Sequence, residues 1–116
     1  MGSNYKQNRV NEEVKRAVSS ILAEIKDPRI PPMPTVVAVE VSGDLKYAKI
    51  YLSFLQNYNE SEVRKGLKAA SGYVRKRIGE IVHLRNTPEP IFVLDRSLEQ
   101  GVRISEILKS LETGNE

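Results

Sequence analysis

Seven Lys and Arg residues fall between Arg64 and Arg85 (Arg64, Lys65, Lys68, Arg75, Lys76, Arg77 and Arg85), against a single acid, Glu80. The rest of the chain holds 11 basic and 14 acidic residues, so a mildly acidic body carries one concentrated basic segment. That distribution, more than the net charge of +3, is the electrostatic footprint of a polyanion binder, because neutralising phosphates needs several cations close together. The chemistry of catalysis is thinly supplied by comparison. Without cysteine there is no thiolate nucleophile, disulfide or sulfur-ligated zinc, and the single histidine, His83, cannot build a two-histidine metal site. Carboxylate neighbours such as Glu12 with Glu13 or Glu60 with Glu62 have no partner arrangement suited to acid and base roles. A non-enzymatic function is therefore expected, with no cofactor and no metal.

The basic segment must be positioned by regular structure, and its apolar residues Val63, Leu67, Ala70, Val74, Ile78 and Ile81 keep helical spacing. A run of small residues, Ala69-Ala70-Ser71-Gly72, interrupts that pattern. Two readings are open. The small residues either allow another element to approach closely, or mark where a second helix begins near Ser71 or Gly72. In the second case Ser71 caps free backbone N–H groups, and a positive helix end points phosphate toward Arg75, Lys76 and Arg77.

Ahead of this segment, Val10, Val14, Ala17, Val18, Ile21, Leu22 and Ile25 predict an amphipathic helix ending near Asp27, since Pro28 disfavours helical geometry at the residue before it. Pro31, Pro32 and Pro34 make a stiff connector. Val37, Val39 and Val41, then Ala48, Ile50, Leu52 and Phe54, alternate with period two and predict two strands joined by a turn at Ser42 to Leu45. After the helical region, Thr87, Pro88 and Pro90 lead into a short third strand, Ile91 to Leu94. Leu98, Val102, Ile107, Leu108 and Leu111 predict a C-terminal helix, which Gly101 weakens in its first turn. The 116 residues thus read as one α+β domain with loose ends at 1–8 and 112–116 and a three-stranded sheet with helices packed on one face. The sequence shows no signal peptide and no membrane-spanning run, which places the expected protein in the cytoplasm.

The order helix, strand, strand, helix, helix, strand resembles a type II KH domain, with Ala70-Ser71-Gly72 in place of the Gly-x-x-Gly loop. That variant is joined by Asp27-Pro28-Arg29-Ile30, Val41-Ser42-Gly43-Asp44-Leu45, Ala48-Lys49-Ile50-Tyr51, Leu84-Arg85 followed by Pro88, and Phe92-Val93-Leu94-Asp95-Arg96-Ser97. Together they are similar to the bacterial ribosome-binding factor A family, over about Arg9 to Leu111. The resemblance implies a monomeric assembly factor that binds free 30S subunits and their 16S rRNA, assists late maturation and 5′-end processing, supports growth after cold shock, and is released with the help of GTPases. The implied RNA contacts are Lys65, Lys68, Ser71, Gly72, Arg75, Lys76, Arg77 and Arg85. Replacing the Gly-x-x-Gly loop argues against ordinary four-nucleotide clamping and for recognition of rRNA shape and phosphate. An alternative from another class is a protein-binding adaptor whose basic segment serves solubility.

Overall fold

The computed structural model describes residues 2–95, with side chains from Gln7 onward. The expected C-terminal helix lies outside the described residues. The elements run α1 (Gly2–Glu24), β1 (Thr35–Val41), β2 (Tyr47–Ser53), α2 (Glu60–Ile81) and β3 (Glu89–Leu94). The three strands form one sheet in the order β1-β2-β3, with β1 antiparallel and β3 parallel to β2. α1 and α2 pack on it to make the α+β arrangement, and both terminal strands are edges. Among the described residues no helix is long and apolar enough to cross a membrane.

The core forms where three periodic patterns converge. Val14, Val18 and Ile21 of α1, Ile50 and Leu52 of β2, and Val63, Val74 and Ile78 of α2 are all essentially solvent-free. Each such side chain contributes roughly 1.5–3 kcal/mol relative to an exposed position. The strand phase departs from expectation in β1. A bulge between Val36 and Ala38 adds a residue, so Val36, rather than Val37, joins Val39 and Val41 in the core. α1 reaches back to Gly2, into the stretch that the sequence pattern leaves as a loose end. It also blunts the end of β1: Gln7 donates to the Val41 carbonyl, and the Val41 N–H donates to Asn11 Oδ1 at 2.8 Å.

The connectors are fixed by their own chemistry. Asp27 accepts from the Arg29 backbone N–H at 2.9 Å and from its guanidinium at 3.0 and 2.7 Å, closing a local ring directly after α1. In the β1–β2 turn, Ser42 Oγ donates to Asp44 and accepts from the N–H groups of Lys46 and Tyr47. The left-handed residue of that turn is Leu45, at φ 62°, and Gly43 has an ordinary negative φ.

α2 corrects the expectation of two helices. It is one continuous helix from Glu60 to Ile81, capped at its start by Asn59, whose side chain accepts from the Glu62 N–H at 3.1 Å. No helix begins at Ser71 or Gly72, so no free N–H groups or helix end point into the basic cluster there. The close-packing reading fails at this position as well. A Cβ placed on Gly72 would meet nothing within 4 Å, whereas one on Gly66 would lie 2.9 Å from Ile30 Cγ1, and one on Gly79 3.0 Å from Thr87 Oγ1. The close approaches of α2 are therefore at Gly66, under Arg29 and Ile30, and at Gly79, under Thr87. Gly72 stands in open space in an exposed helix turn, where glycine costs about 1 kcal/mol relative to alanine.

Candidate nucleic-acid interface

A helix of 3.6 residues per turn divides the basic segment into three stripes, and the contacts of α2 agree with that division. Along the flank facing β3 run Arg64, Lys68, Ser71 and Arg75, at i, i+4, i+7 and i+11. Arg64, Lys68 and Ser71 form one rim of a cleft of about 230 Å³, whose other wall and floor are Leu67 with Pro90, Ile91, Phe92 and Leu94. Arg75 continues the rim toward the loop before β3, where its guanidinium donates to the Thr87 carbonyl at 3.3 Å. The cleft thus has an apolar floor that a base can lie on and a cationic rim that can meet phosphate.

The outermost stripe of α2 carries Lys65, Gly72 and Lys76, all exposed. Lys65 lies 3.6 Å from Glu62, and Arg64 is 3.0 Å from Glu60. Solvent-exposed pairs of this kind contribute at most about 1 kcal/mol, so both cations exchange their carboxylate for another anion at little cost. Among the described residues no ion pair engages Lys68, Lys76 or Arg85. Arg85 stands apart from α2, exposed on the loop that follows it.

The third stripe turns toward α1 and has different work. Arg77 Nε and Nη2 reach the Glu24 carboxylate at 3.0 and 2.8 Å, and Tyr73 donates its hydroxyl to the same carboxylate. Arg77 Nη1 is also 3.7 Å from Glu80. These hydrogen bonds, from Arg77 first and Tyr73 second, hold the Glu24 carboxyl down at about 2, against an ordinary 4.5. The Arg77 guanidinium is shifted upward by the same contact and the Tyr73 phenol is raised by Glu24. Arg77 therefore clamps the end of α1 to α2, and Tyr73 is a partner in that clamp. Replacing both Arg75 and Arg77 would mix loss of rim charge with loss of this tie between helices.

Linkage fixes the sign of the acid response. Glu24 has a folded pKa below its unfolded value, as does Asp27, held by Arg29 at about 2 against 3.8. The stabilisation from each is fully present above its unfolded pKa and is lost as pH falls toward about 2. Thermal unfolding followed by circular dichroism is expected to show a melting temperature that falls through this acid window. Glu24→Gln should lower the neutral-pH value and flatten the acid limb. A variant curve parallel to the parent would remove Glu24 from the account.

The structure thus brings Lys68 and Ser71 to one cleft, with Arg75 on the same helix flank toward Thr87, places Lys65, Gly72 and Lys76 beside it, and puts Arg77 and Arg85 elsewhere. Sequence reasoning left out Arg64 as a site residue, although its spacing to Lys68, Ser71 and Arg75 carries the signal. It also left out the β3 wall, for which no local signal exists, because the parallel pairing of β3 with β2 is what brings Ile91 and Phe92 opposite α2.

Relatives share this chain's sequence and fold. The family model described as ribosome-binding factor A matches residues 6–108. A ribosome-binding factor A from Caldanaerobacter subterraneus subsp. tengcongensis is 50% identical over 109 residues, covering 92% of this chain and 89% of that one. The crystal structure of ribosome-binding factor A from Thermus thermophilus superposes with a TM-score of 0.69 at 23% identity, over 78% of this chain and 98% of that chain, a likeness of fold. A homology model of the Thermus thermophilus factor, fitted into the cryo-EM map of its complex with the 30S particle, matches with a TM-score of 0.62 at 26% identity, over 74% of this chain and 91% of that chain. With a family model spanning most of its length and a relative identical at half the aligned positions, this chain belongs to the ribosome-binding factor A family.

Proposed function

We propose that this protein binds the small ribosomal subunit and acts on its assembly by occupying rRNA rather than by catalysis. The observation that carries the reading is the cleft between α2 and β3, where Arg64, Lys68 and Ser71 line one rim of an apolar floor. Lys65, Lys76 and Arg75 extend the positive surface beside that rim, and Gly72 leaves a gap in it where no side chain separates a ligand from the helix backbone. Family membership and the relative placed in a 30S complex support the small subunit's rRNA as the polyanion. The finer reading is of a cytoplasmic, monomeric factor that contacts immature 16S rRNA, favours its late maturation including 5′-end processing, and leaves with the help of assembly GTPases. No cofactor takes part.

Co-sedimentation of the purified protein with free small subunits, large subunits and joined ribosomes, repeated over a salt series, tests this. Retention on small subunits alone is expected. Neutralisation of about four phosphates would give a log–log salt slope near −3. Binding with almost no salt dependence would identify an apolar docking surface and favour the adaptor reading, and an absence of binding to any particle would overturn the proposal.

A further inference from the structure

An acid closes α1 where a helix least favours one. Glu24 is the last residue of α1, at the negative end of the helix dipole, and the last turn holds no basic residue to offset it. What it holds explains its place. Arg77 Nε and Nη2 reach its carboxylate at 3.0 and 2.8 Å, and the Tyr73 hydroxyl donates to the same group. A two-pronged guanidinium joined by a hydroxyl is also a way to grip phosphate, because a phosphodiester offers the fork the same pair of anionic oxygens. Glu24 thus fills a seat whose donors suit a phosphate equally well.

The seat is reachable from solvent. The Arg77 and Glu24 side chains are 27% and 34% exposed, and Tyr73 is 45% exposed. Next to it runs the outermost stripe of α2, where Lys65 and Lys76 are separated only by Ala69 and Gly72. A Cβ on Gly72 would meet nothing within 4 Å, so a nucleic-acid backbone resting on the two lysines comes close to the helix there, beside Tyr73 and Arg77. Exchange of one anion for another costs little, since a partly exposed pair is a weak one. The Glu24 carboxyl, held at about 2, stays ionised throughout the neutral range, so another anion rather than a proton displaces it.

We infer that Arg77 and Tyr73 form a second phosphate seat on the α1 side of α2, which Glu24 fills in the free protein and an rRNA phosphate takes over on the small subunit. The inference rests on the rRNA reading above, and it adds a contact outside the α2–β3 cleft with a competitor built into the fold. Glu24 makes that contact conditional. A polyanion held only loosely on the lysines does not displace it, so Arg77 adds affinity only where a phosphate is delivered beside Tyr73.

Co-sedimentation of the full chain with small subunits over a salt series tests this, with circular dichroism on each preparation. Glu24→Gln keeps the size of the side chain and removes its charge, and it is expected to tighten binding about threefold, within the strength of one partly exposed ion pair. Glu12→Gln makes the same change of charge at an exposed position of α1 and should leave affinity at the parent value. Arg77→Met should weaken binding and make the log–log salt slope shallower by roughly 0.7–0.9, the share of one phosphate. In that background Glu24→Gln should have no effect. A folded Glu24→Gln variant with parent or weaker affinity would overturn the inference, and this result alone decides the case if Arg77→Met does not fold. A gain that persists without Arg77, or that Glu12→Gln reproduces, would mark a general charge effect and overturn it as well. So would weaker binding by Arg77→Met at the parent's salt slope, which would leave Arg77 a structural tie. If the parent itself is not retained on small subunits, the rRNA reading falls too, whereas retention of the parent with any of these contrary results removes the second seat alone.

Discussion

Changing Lys68 and Arg75 together to glutamate is expected to weaken binding to small ribosomal subunits by roughly a hundredfold, at about 1.5 kcal/mol for each charge-assisted hydrogen bond removed. The two residues stand one above the other along the β3-facing flank of α2. Neither is used to hold the fold together beyond a 3.3 Å hydrogen bond from Arg75 to the Thr87 carbonyl. The double variant should therefore melt near the parent temperature. Its salt slope should become shallower by about 1.5, as expected when two phosphates are no longer neutralised. The measurement is the same co-sedimentation series, run with circular dichroism on each preparation. Parent-like affinity in a folded double variant would remove the cleft rim from the proposed interface. A charge-matched double variant away from α2, Lys26→Glu with Lys49→Glu, both exposed, reports whether net charge alone explains any loss.

The second large effect is expected at Gly66. A Cβ there would lie 2.9 Å from Ile30 Cγ1 and 3.3 Å from the Arg29 Cβ, closer than side chains tolerate without movement. Ile30 has little freedom to yield, because its N–H is bonded to the Asp27 carbonyl at 3.0 Å and Asp27 is ringed by Arg29. Gly66→Val should cost about 3 kcal/mol, the upper range for overpacking a close contact. Urea unfolding would read this as a lower midpoint with an unchanged slope. The companion change, Gly72→Ala in the same helix, should move the midpoint the other way by up to about 1 kcal/mol, because its Cβ enters open space and helix propensity improves. Equal effects of the two substitutions would show that propensity alone governs both sites.

Gly72 also shows what local reading can and cannot reach. The small-residue run is a real departure from helical pattern, and it invites a second helix because glycine and serine favour ends. Yet one glycine subtracts about 1 kcal/mol, and the burial of Val63, Leu67, Val74 and Ile78 on both sides of it outweighs that, so the helix continues. Alternation located both antiparallel strands, but missed the phase of β1, since a bulge adds a residue without changing the kinds of residue present. Among the basic residues, charge density found the segment and helical spacing would have sorted it into stripes. What spacing could not reveal is that Arg77 faces Glu24, 53 positions earlier in the chain, or that Ile91 and Phe92 close the cleft from the far side. Both depend on long-range packing.

The parallel pairing of β3 with β2 carries a consequence for when the protein becomes competent. Antiparallel β1 and β2 are joined by a short turn and can meet early. β3 can take its place only after α2 has crossed over the sheet, because a parallel neighbour needs a long connection. The two walls of the cleft are that crossover helix and that last strand. An incomplete nascent chain therefore has the cations without the groove. The groove proposed to meet rRNA therefore requires both elements, so a chain that has not yet reached β3 is expected to be unable to use it.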